Sequence, residues 1–260
     1  MLLVDIVIPV YNKEEYISDL LDSLLTRKEL YDKIILVDDC SKDRSVNIIR
    51  EYEANHPDKI IVFQQEQNRG PHYARIKGAE LSGKEFVMFS DADDLFHLDG
   101  LHDFLNSDID WPRFTMCYGN TLQTYTHNSK DFKYISTEKV YTLKKPMDLL
   151  LYEMPPMIGL LVRKDIIPLM AVGECSWGED IIFFVKAINA GSFAYKGQTV
   201  GLRRIMEGTR GTSGGTLDKR LSFIKLLYSE LDFKKSFSSV AFFLQLTAKT
   251  LLAWCVKKIK

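Results

Sequence analysis

Ile34-Ile35-Leu36-Val37 runs without a break into Asp38-Asp39-Cys40-Ser41. A short apolar run rich in β-branched residues and closed by a polar turn is the pattern of a strand buried on both faces. Residues 2–10, 59–63 and 85–89 repeat it. Helical periods lie between these runs at 14–26, 43–54 and 71–81. In the first of them Ile17, Leu20, Leu21, Leu24 and Leu25 recur at the three-to-four spacing of a helix face laid on a sheet. Strand–helix–strand repetition of this kind predicts an α/β fold with a mostly parallel sheet and right-handed crossovers.

Composition agrees with one sizeable core. The 260 residues are 46% hydrophobic, which excludes a disordered chain, and 34 basic side chains face 35 acidic ones. A net charge of −1 excludes broad nucleic-acid binding, which needs a basic face. Cys40, Cys117, Cys175 and Cys255 lie far apart with no paired spacing, so neither a disulfide framework nor a zinc site is expected, and the setting reads as the reducing cytoplasm. Met1 to Tyr11 is too short and too acidic to read as a secretory signal. His56, His72, His97, His102 and His127 lack zinc-ligand spacing and read as structural.

Beyond residue 110 the pattern is less regular. Strands are expected at 113–125, 132–142, 157–162 and 199–206, a helix at 177–189, and a glycine-rich loop at 208–215 followed by helices at 217–231 and 236–258. Residues 1–205 are read as one domain, its two halves meeting near residue 110. Residues 206–260 are read as a loop and helical appendage.

Chemistry concentrates where strands end, since open α/β sheets bind ligands outside the carboxyl ends of their strands. Asp38 and Asp39 follow the second strand; Asp91, Asp93 and Asp94 follow the fourth. Carboxylates crowded on one rim repel each other unless a cation or ligand donors neutralise them, and Asp-x-Asp suits Mg²⁺ or Mn²⁺ bridging a diphosphate. Helix capping is the bland alternative: Ser41 or Asp43 for the second helix and Asp94 for the one after it. Capping is expected to account for Ser41 and Asp94, but not for five carboxylates at two strand ends.

Four blocks carry a resemblance: Ile6-Val7-Ile8-Pro9-Val10-Tyr11-Asn12, Val37-Asp38-Asp39-Cys40-Ser41-Lys42-Asp43, Asn68-Arg69-Gly70 with Ala74-Arg75 and Gly78, and Asp91-Ala92-Asp93-Asp94. In order and spacing they resemble family 2 glycosyltransferases of the GT-A fold over about residues 4 to 100, and the likeness returns at Trp177-Gly178-Glu179-Asp180. The resemblance implies an inverting transfer of one sugar from a UDP-sugar to a saccharide or lipid-linked acceptor, in bacterial surface-polysaccharide or lipooligosaccharide assembly. It implies that Pro9 and Tyr11 border the nucleobase and that Asp39 accepts a hydrogen bond from it. Arg75 would lie near base or phosphates, Asp91 near the ribose, and Asp93 on a divalent metal, Mn²⁺ or Mg²⁺. Asp180, beside Glu179, would be the general base. On the residues alone, Glu179-Asp180 reads equally as the acidic first turn of a helix.

The likeness has departures. Met206 stands where many relatives carry a His near the metal or phosphates, and a thioether is a poor partner for a hard cation. Either the diphosphate supplies more of the coordination, or Arg204 or Arg210 neutralises it directly, or metal affinity is weak; residues 207–216 read as a lid or as a plain connector. The Gln-x-x-Arg-Trp pattern of processive synthases is missing, which favours single additions. Two alternatives stay beside this reading: a degenerate nucleotide-sugar-binding scaffold, and a sugar nucleotidyltransferase, whose glycine-rich phosphate loop is missing at Tyr11-Asn12-Lys13-Glu14. From Lys234 onward there are six lysines and no acid, flanking a largely apolar helical pattern. This predicts peripheral contact of 234–260 with the inner face of the cytoplasmic membrane, packing on protein or on a second copy being the alternative.

Overall fold

The computed structural model describes residues 1–124, 133–134, 141–148, 155–172, 178–205 and 217–230, with Gln245 and Thr247. The first half alternates as the periodicity predicts: β1 (Asp5–Val10), α1 (Ile17–Leu25), β2 (Ile34–Asp38), α2 (Ser45–Asn55), β3 (Ile60–Gln64), α3 (Pro71–Leu81) and β4 (Phe86–Phe89). These four strands are parallel in the order β3-β2-β1-β4. The chain first steps outward from β1 through β2 to β3, then returns past both to place β4 on the other side of β1. Right-handed crossovers running in opposite directions put their helices on opposite faces. Ile17, Leu20 and Leu24 of α1 and Ile49 of α2 accordingly share one core with Ile6, Ile8 and Leu36. Ala74 and Ala79 of α3 share the other with Val7, Ile35 and Val37. The two-residue period of the pleat divides each strand between these cores.

The sheet then becomes mixed. After β5 (Leu95–Phe96) and α4 (Leu98–Leu105) come β6 (Met116–Thr124), β7 (Lys133–Tyr134), β8 (Tyr141–Leu143), β9 (Leu160–Arg163), α5 (Glu179–Ala190), β10 (Phe193–Arg204) and α6 (Leu217–Glu230). β9 lies antiparallel between β4 and β6, and β10 runs parallel to β6. Gly201 and Leu202 of β10 pair with Phe96 and Leu95 of β5. That pairing carries the end of β10 to the residues just after the Asp91–Asp94 turn. α6 closes the core with Phe223 and Leu227, and Lys186 of α5 holds Glu230 at 2.9 Å.

Several boundaries depart from the sequence pattern. The last strand begins at Phe193 rather than 199, because its register against β6 shifts twice between Tyr195 and Gly201. Lys196, Gly197 and Gln198 fall in that irregular stretch and break the apolar alternation by which the strand is recognised. Residues 111–113 form a 3₁₀ turn, so β6 starts at Met116. The expected glycine-rich loop and the C-terminal helix at 236–258 lie outside the described residues, Gln245 and Thr247 apart. Among the described residues no helix is long and apolar enough to cross a membrane.

α3 approaches the sheet closely at Gly78, where an added Cβ would overlap Val7 Cγ1 and press on Val37. Gly78→Ala is expected to lower unfolding free energy by about 1–3 kcal/mol in urea titrations. An unchanged midpoint would show that the helix can move away without loss.

Candidate active site

The loops after β1 and β2 are laced to each other. Asn12 and Cys40 take left-handed backbone angles, φ 52° and 64°, which turn both loops sharply at the sheet edge. Asn12 N–H donates to Ser41 Oγ at 3.0 Å, and Lys42 N–H returns to Asn12 Oδ1 at 2.8 Å. Lys13 N–H donates to Ser45 Oγ at 2.7 Å, and Glu14 N–H to Asp43 Oδ2 at 3.1 Å. These bonds hold residues 13–16 as a turn and delay α1 to Ile17. Ser41 therefore does not cap α2, contrary to expectation. Asp43 accepts the Ser45 N–H at 2.9 Å instead.

β1 lies between β2 and β4, so the acidic turns after those strands flank its end. Asp39, 2% exposed, accepts from Arg69 N–H at 2.7 Å, Gly70 N–H at 2.8 Å and Gln65 Nε2 at 2.8 Å. Its carboxylate thus shapes the loop that leads into α3. Gly70, at φ 89°, and Pro71 then open the helix.

On the other side of β1, Arg75 of α3 is 3% exposed and donates to Asp91 Oδ1 at 2.5 Å. Lys13 Nζ holds Asp93 Oδ2 at 2.5 Å. Asp94 is buried and accepts the Arg204 backbone N–H at 2.9 Å. It caps no helix: His97 does that for α4, accepting the Gly100 N–H through Nδ1 at 3.0 Å. Removal from water, with Asp91 and Asp93 adding like charge, pushes the Asp94 carboxyl well above its ordinary range. Asp91 keeps 37% of its side chain open to the cleft, yet the protein around it still displaces most water. That desolvation, aided by Asp93 and Asp180, raises its pKa in spite of Arg75.

The third acidic group arrives on α5. Gly178 adopts φ 83° where the helix begins, and a Cβ there would overlap the Phe223 ring. Glu179 and Asp180 form the first turn that follows. Asp180 Oδ1 meets His72 Nε2 of α3 at 2.8 Å, with His72 only 4% exposed. Desolvation is the largest single influence on Asp180 and opposes its ionisation, but the His72 hydrogen bond and the charges of His72, Arg75 and Arg203 together outweigh it. The carboxyl is held below its ordinary value.

These groups surround one cleft of about 570 Å³. Pro9, Tyr11 and Asp39 line it from β1 and β2, Arg75 from α3, Asp91 and Asp93 from the turn after β4, Glu179 and Asp180 from α5, and Arg204 from β10. Tyr11 is 41% exposed there. Arg204 is committed elsewhere: its Nη2 donates to Asp19 at 2.9 Å, and its guanidinium lies 5.7 Å from the centre of the Tyr16 ring. Arg210, Met206 and Trp177 lie outside the described residues. Sequence reasoning missed three participants. Lys13 directly follows the first motif, His72 lacks metal-ligand spacing and reads as structural, and Arg203 adjoins Arg204. Arg203 is exposed, lines the cleft and makes no ion pair with a described residue.

Among the described residues no three His, Cys, Asp or Glu side chains converge as a cation's ligands. The rim nevertheless offers hard oxygen donors, and burial plus mutual repulsion leave its carboxylates short of counter-charge. Such a donor set fits a hard divalent cation that takes part of its coordination from a ligand, and does not fit an all-protein cage.

A mixed sheet whose order reverses beside β1, with nucleotide-sized space outside its carboxyl ends, defines the GT-A class of fold. Residues 5–167 match the family model for glycosyl transferase family 2, and the chain belongs to that family. A poly(ribitol-phosphate) beta-glucosyltransferase of Bacillus spizizenii is 37% identical over 94 residues, which is 35% of this chain and 15% of that protein. TarS of Staphylococcus aureus, a poly(ribitol-phosphate) beta-N-acetylglucosaminyltransferase, is 35% identical over 111 residues, 40% of this chain and 18% of TarS. The chain therefore spans less than a fifth of either relative's length. The crystal structure of S. aureus TarS in complex with UDP-GlcNAc matches with a TM-score of 0.71 at 21% identity, over 96% of this chain and 72% of that one. GalNAc-T7 with UDP, GalNAc and Mn²⁺ matches with a TM-score of 0.64 at 14% identity, over 88% and 48%. At these identities the structural matches establish a shared fold.

The raised pKa of Asp94 has a stability consequence. Folded Asp94 retains a proton that the unfolded chain releases as pH rises out of the ordinary carboxylate range. Stability therefore falls through that window, and the loss is complete once the folded value is passed. Asp94→Asn keeps an acceptor for the Arg204 N–H but cannot ionise. With chelator present, its melting temperature is expected to gain on wild type as pH rises from about 5 to 8. Parallel melting curves across that range would contradict the buried-charge assignment.

Proposed function

We propose that the chain is an inverting, metal-dependent glycosyltransferase that moves a single sugar from a UDP-sugar to a saccharide or lipid-linked saccharide acceptor. The observation that carries this reading is the convergence of Asp39, Asp91, Asp93 and Asp180, from three separate chain segments, on one cleft outside the carboxyl ends of β1 and β4. The names of the relatives support sugar transfer to a surface polymer, and the UDP-GlcNAc complex of TarS supports a uridine donor. Tyr11 and Pro9 wall the base and Asp39 sets the loop beside it, while Arg75 steadies Asp91 near the ribose. Asp93 would hold the divalent cation, which would supply charge neutralisation for the departing UDP. Lys13 holds Oδ2 of Asp93 at 2.5 Å and would share or yield that carboxylate where a cation is held. Arg203, which makes no ion pair with a described residue, is better placed than Arg204 to meet a phosphate.

In the transfer the acceptor oxygen bonds to the anomeric carbon, and the bond from that carbon to the β-phosphate oxygen breaks with its electron pair. Asp180 takes the hydroxyl proton. Its depressed pKa keeps it ionised and ready to accept. Glu179, one residue away on the same cleft wall, adds negative field beside an oxocarbenium-like centre. The six lysines and apolar residues of 234–260 support a position at the inner face of the cytoplasmic membrane, where a lipid-linked acceptor is presented.

UDP with Mn²⁺ is expected to raise the melting temperature, and chelator to abolish the rise. Asp93→Asn should lose the metal-dependent part of that shift while folding normally; wild-type affinity in the variant would remove Asp93 from the metal. Asp180→Asn should keep donor binding and lose transfer by roughly a hundredfold or more. Near-normal turnover would move the base to Glu179.

A further inference from the structure

His72 and Asp180 are 108 residues apart and meet at 2.8 Å. The two ends of the contact differ. The His72 side chain is 5% exposed, whereas the Asp180 side chain keeps 47% of its surface open. One carboxylate oxygen, Oδ1, is taken by His72; no described residue donates to Oδ2. The other ring nitrogen, His72 Nδ1, is buried and has no hydrogen-bond partner among the described residues. An orphaned buried nitrogen carries a desolvation cost, so the ring is not oriented for its own stability. The cost is accepted where the ring serves another group, and the group it touches is the carboxylate that faces the cleft.

We propose that His72 is a positioning residue for the base: it donates its Nε2–H to Oδ1 of Asp180, fixes the rotation of the carboxylate, and leaves Oδ2 to receive the acceptor hydroxyl's proton. The inference rests on the assignment of Asp180 as base. After proton transfer the carboxyl is neutral, with its proton on Oδ2 and Oδ1 still accepting from His72, so the contact survives the chemical step unbroken. A carboxylate anchored through one oxygen also loses less rotational freedom on reaching its reactive geometry. Arg75 on α3 and Arg203 at the end of β10 act on Asp180 through their charge, and Asp91 and Glu179 stand on the same cleft; among the described residues His72 alone makes a directional bond to it.

The test compares His72→Phe with His72→Gln in the full chain, at saturating UDP-sugar and Mn²⁺. Phe fills the buried space and removes the donor; the Gln side-chain amide restores an N–H of similar reach. His72→Phe is expected to lower kcat about tenfold or more with little change in donor KM. Loss of a bond that stabilises the carboxylate raises the pKa of Asp180, so the acidic limb of the kcat–pH profile should move to higher pH. His72→Gln should recover most of kcat and return the limb. In an Asp180→Asn background His72→Phe should cost nothing more. A merely structural His72 would lower melting temperature in both variants and leave the limb in place, which would overturn the proposal. So would wild-type kcat in His72→Phe alongside an inactive Asp180→Asn. Turnover by Asp180→Asn itself would instead show that the base assignment has failed, and the positioning role with it. Should His72→Phe not fold, the limb position and kcat of His72→Gln against His72→Asn, whose shorter amide does not reach Oδ1, decide the same question.

Discussion

Lys13 reaches Asp93 across 80 residues of chain, the backbone N–H of Arg204 reaches Asp94 across 110, and His72 reaches Asp180 across 108. Each of these bonds brings a donor from a distant segment to a carboxylate that its own neighbours leave unsatisfied. Carboxylates withdrawn from water without such partners would take up protons or push the loops apart. The compensation is incomplete, as the raised Asp91 and Asp94 show, and the residual negative potential of the cleft is what a cation and a phosphate-bearing donor would complete.

The sheet order is what allows this arrangement. β1 sits between β2 and β4, so acidic turns separated by some fifty residues open on either side of one strand end. The reversal of winding direction after β3 puts α3 on the opposite face of the parallel half from α1 and α2. Its Gly78 lets it settle against Val7 and Val37, and that close seat brings Arg75 and His72 within reach of the rim. β5 pairs with β10 and carries the adjacent Arg203 and Arg204 to the same place from the far side of the sheet. Packing at a glycine and pairing at a short edge strand thus set the electrostatics of the cleft.

Much of this was legible in the residues. The four parallel strands, the three helices between them and the bounds of α3 follow from apolar periodicity, because both faces of that sheet are buried and every strand must read as a continuous apolar run. The acidic candidates were legible too, since they sit directly where those runs stop. The end of the chemistry that comes from partners was not. Ser41 and Asp94 looked like helix caps because capping is a local rule, and in the fold both bond to other segments. β10 hid its first half behind a bulge at residues 196–198, where alternation fails.

Sequence alone determined the fold class, the acidic rim and the family likeness, because each is written in local spacing along one segment. Tertiary structure alone decided that Lys13 stands on Asp93, that Arg204 is committed to Asp19 while Arg203 is open to the cleft, and that a histidine without a metal-ligand pattern holds the candidate base. Hydrogen bonds and ion pairs act over about 3 Å, and which groups come that close depends on strand order, register and helix seating. Those are properties of the whole packed chain, and no window of residues contains them.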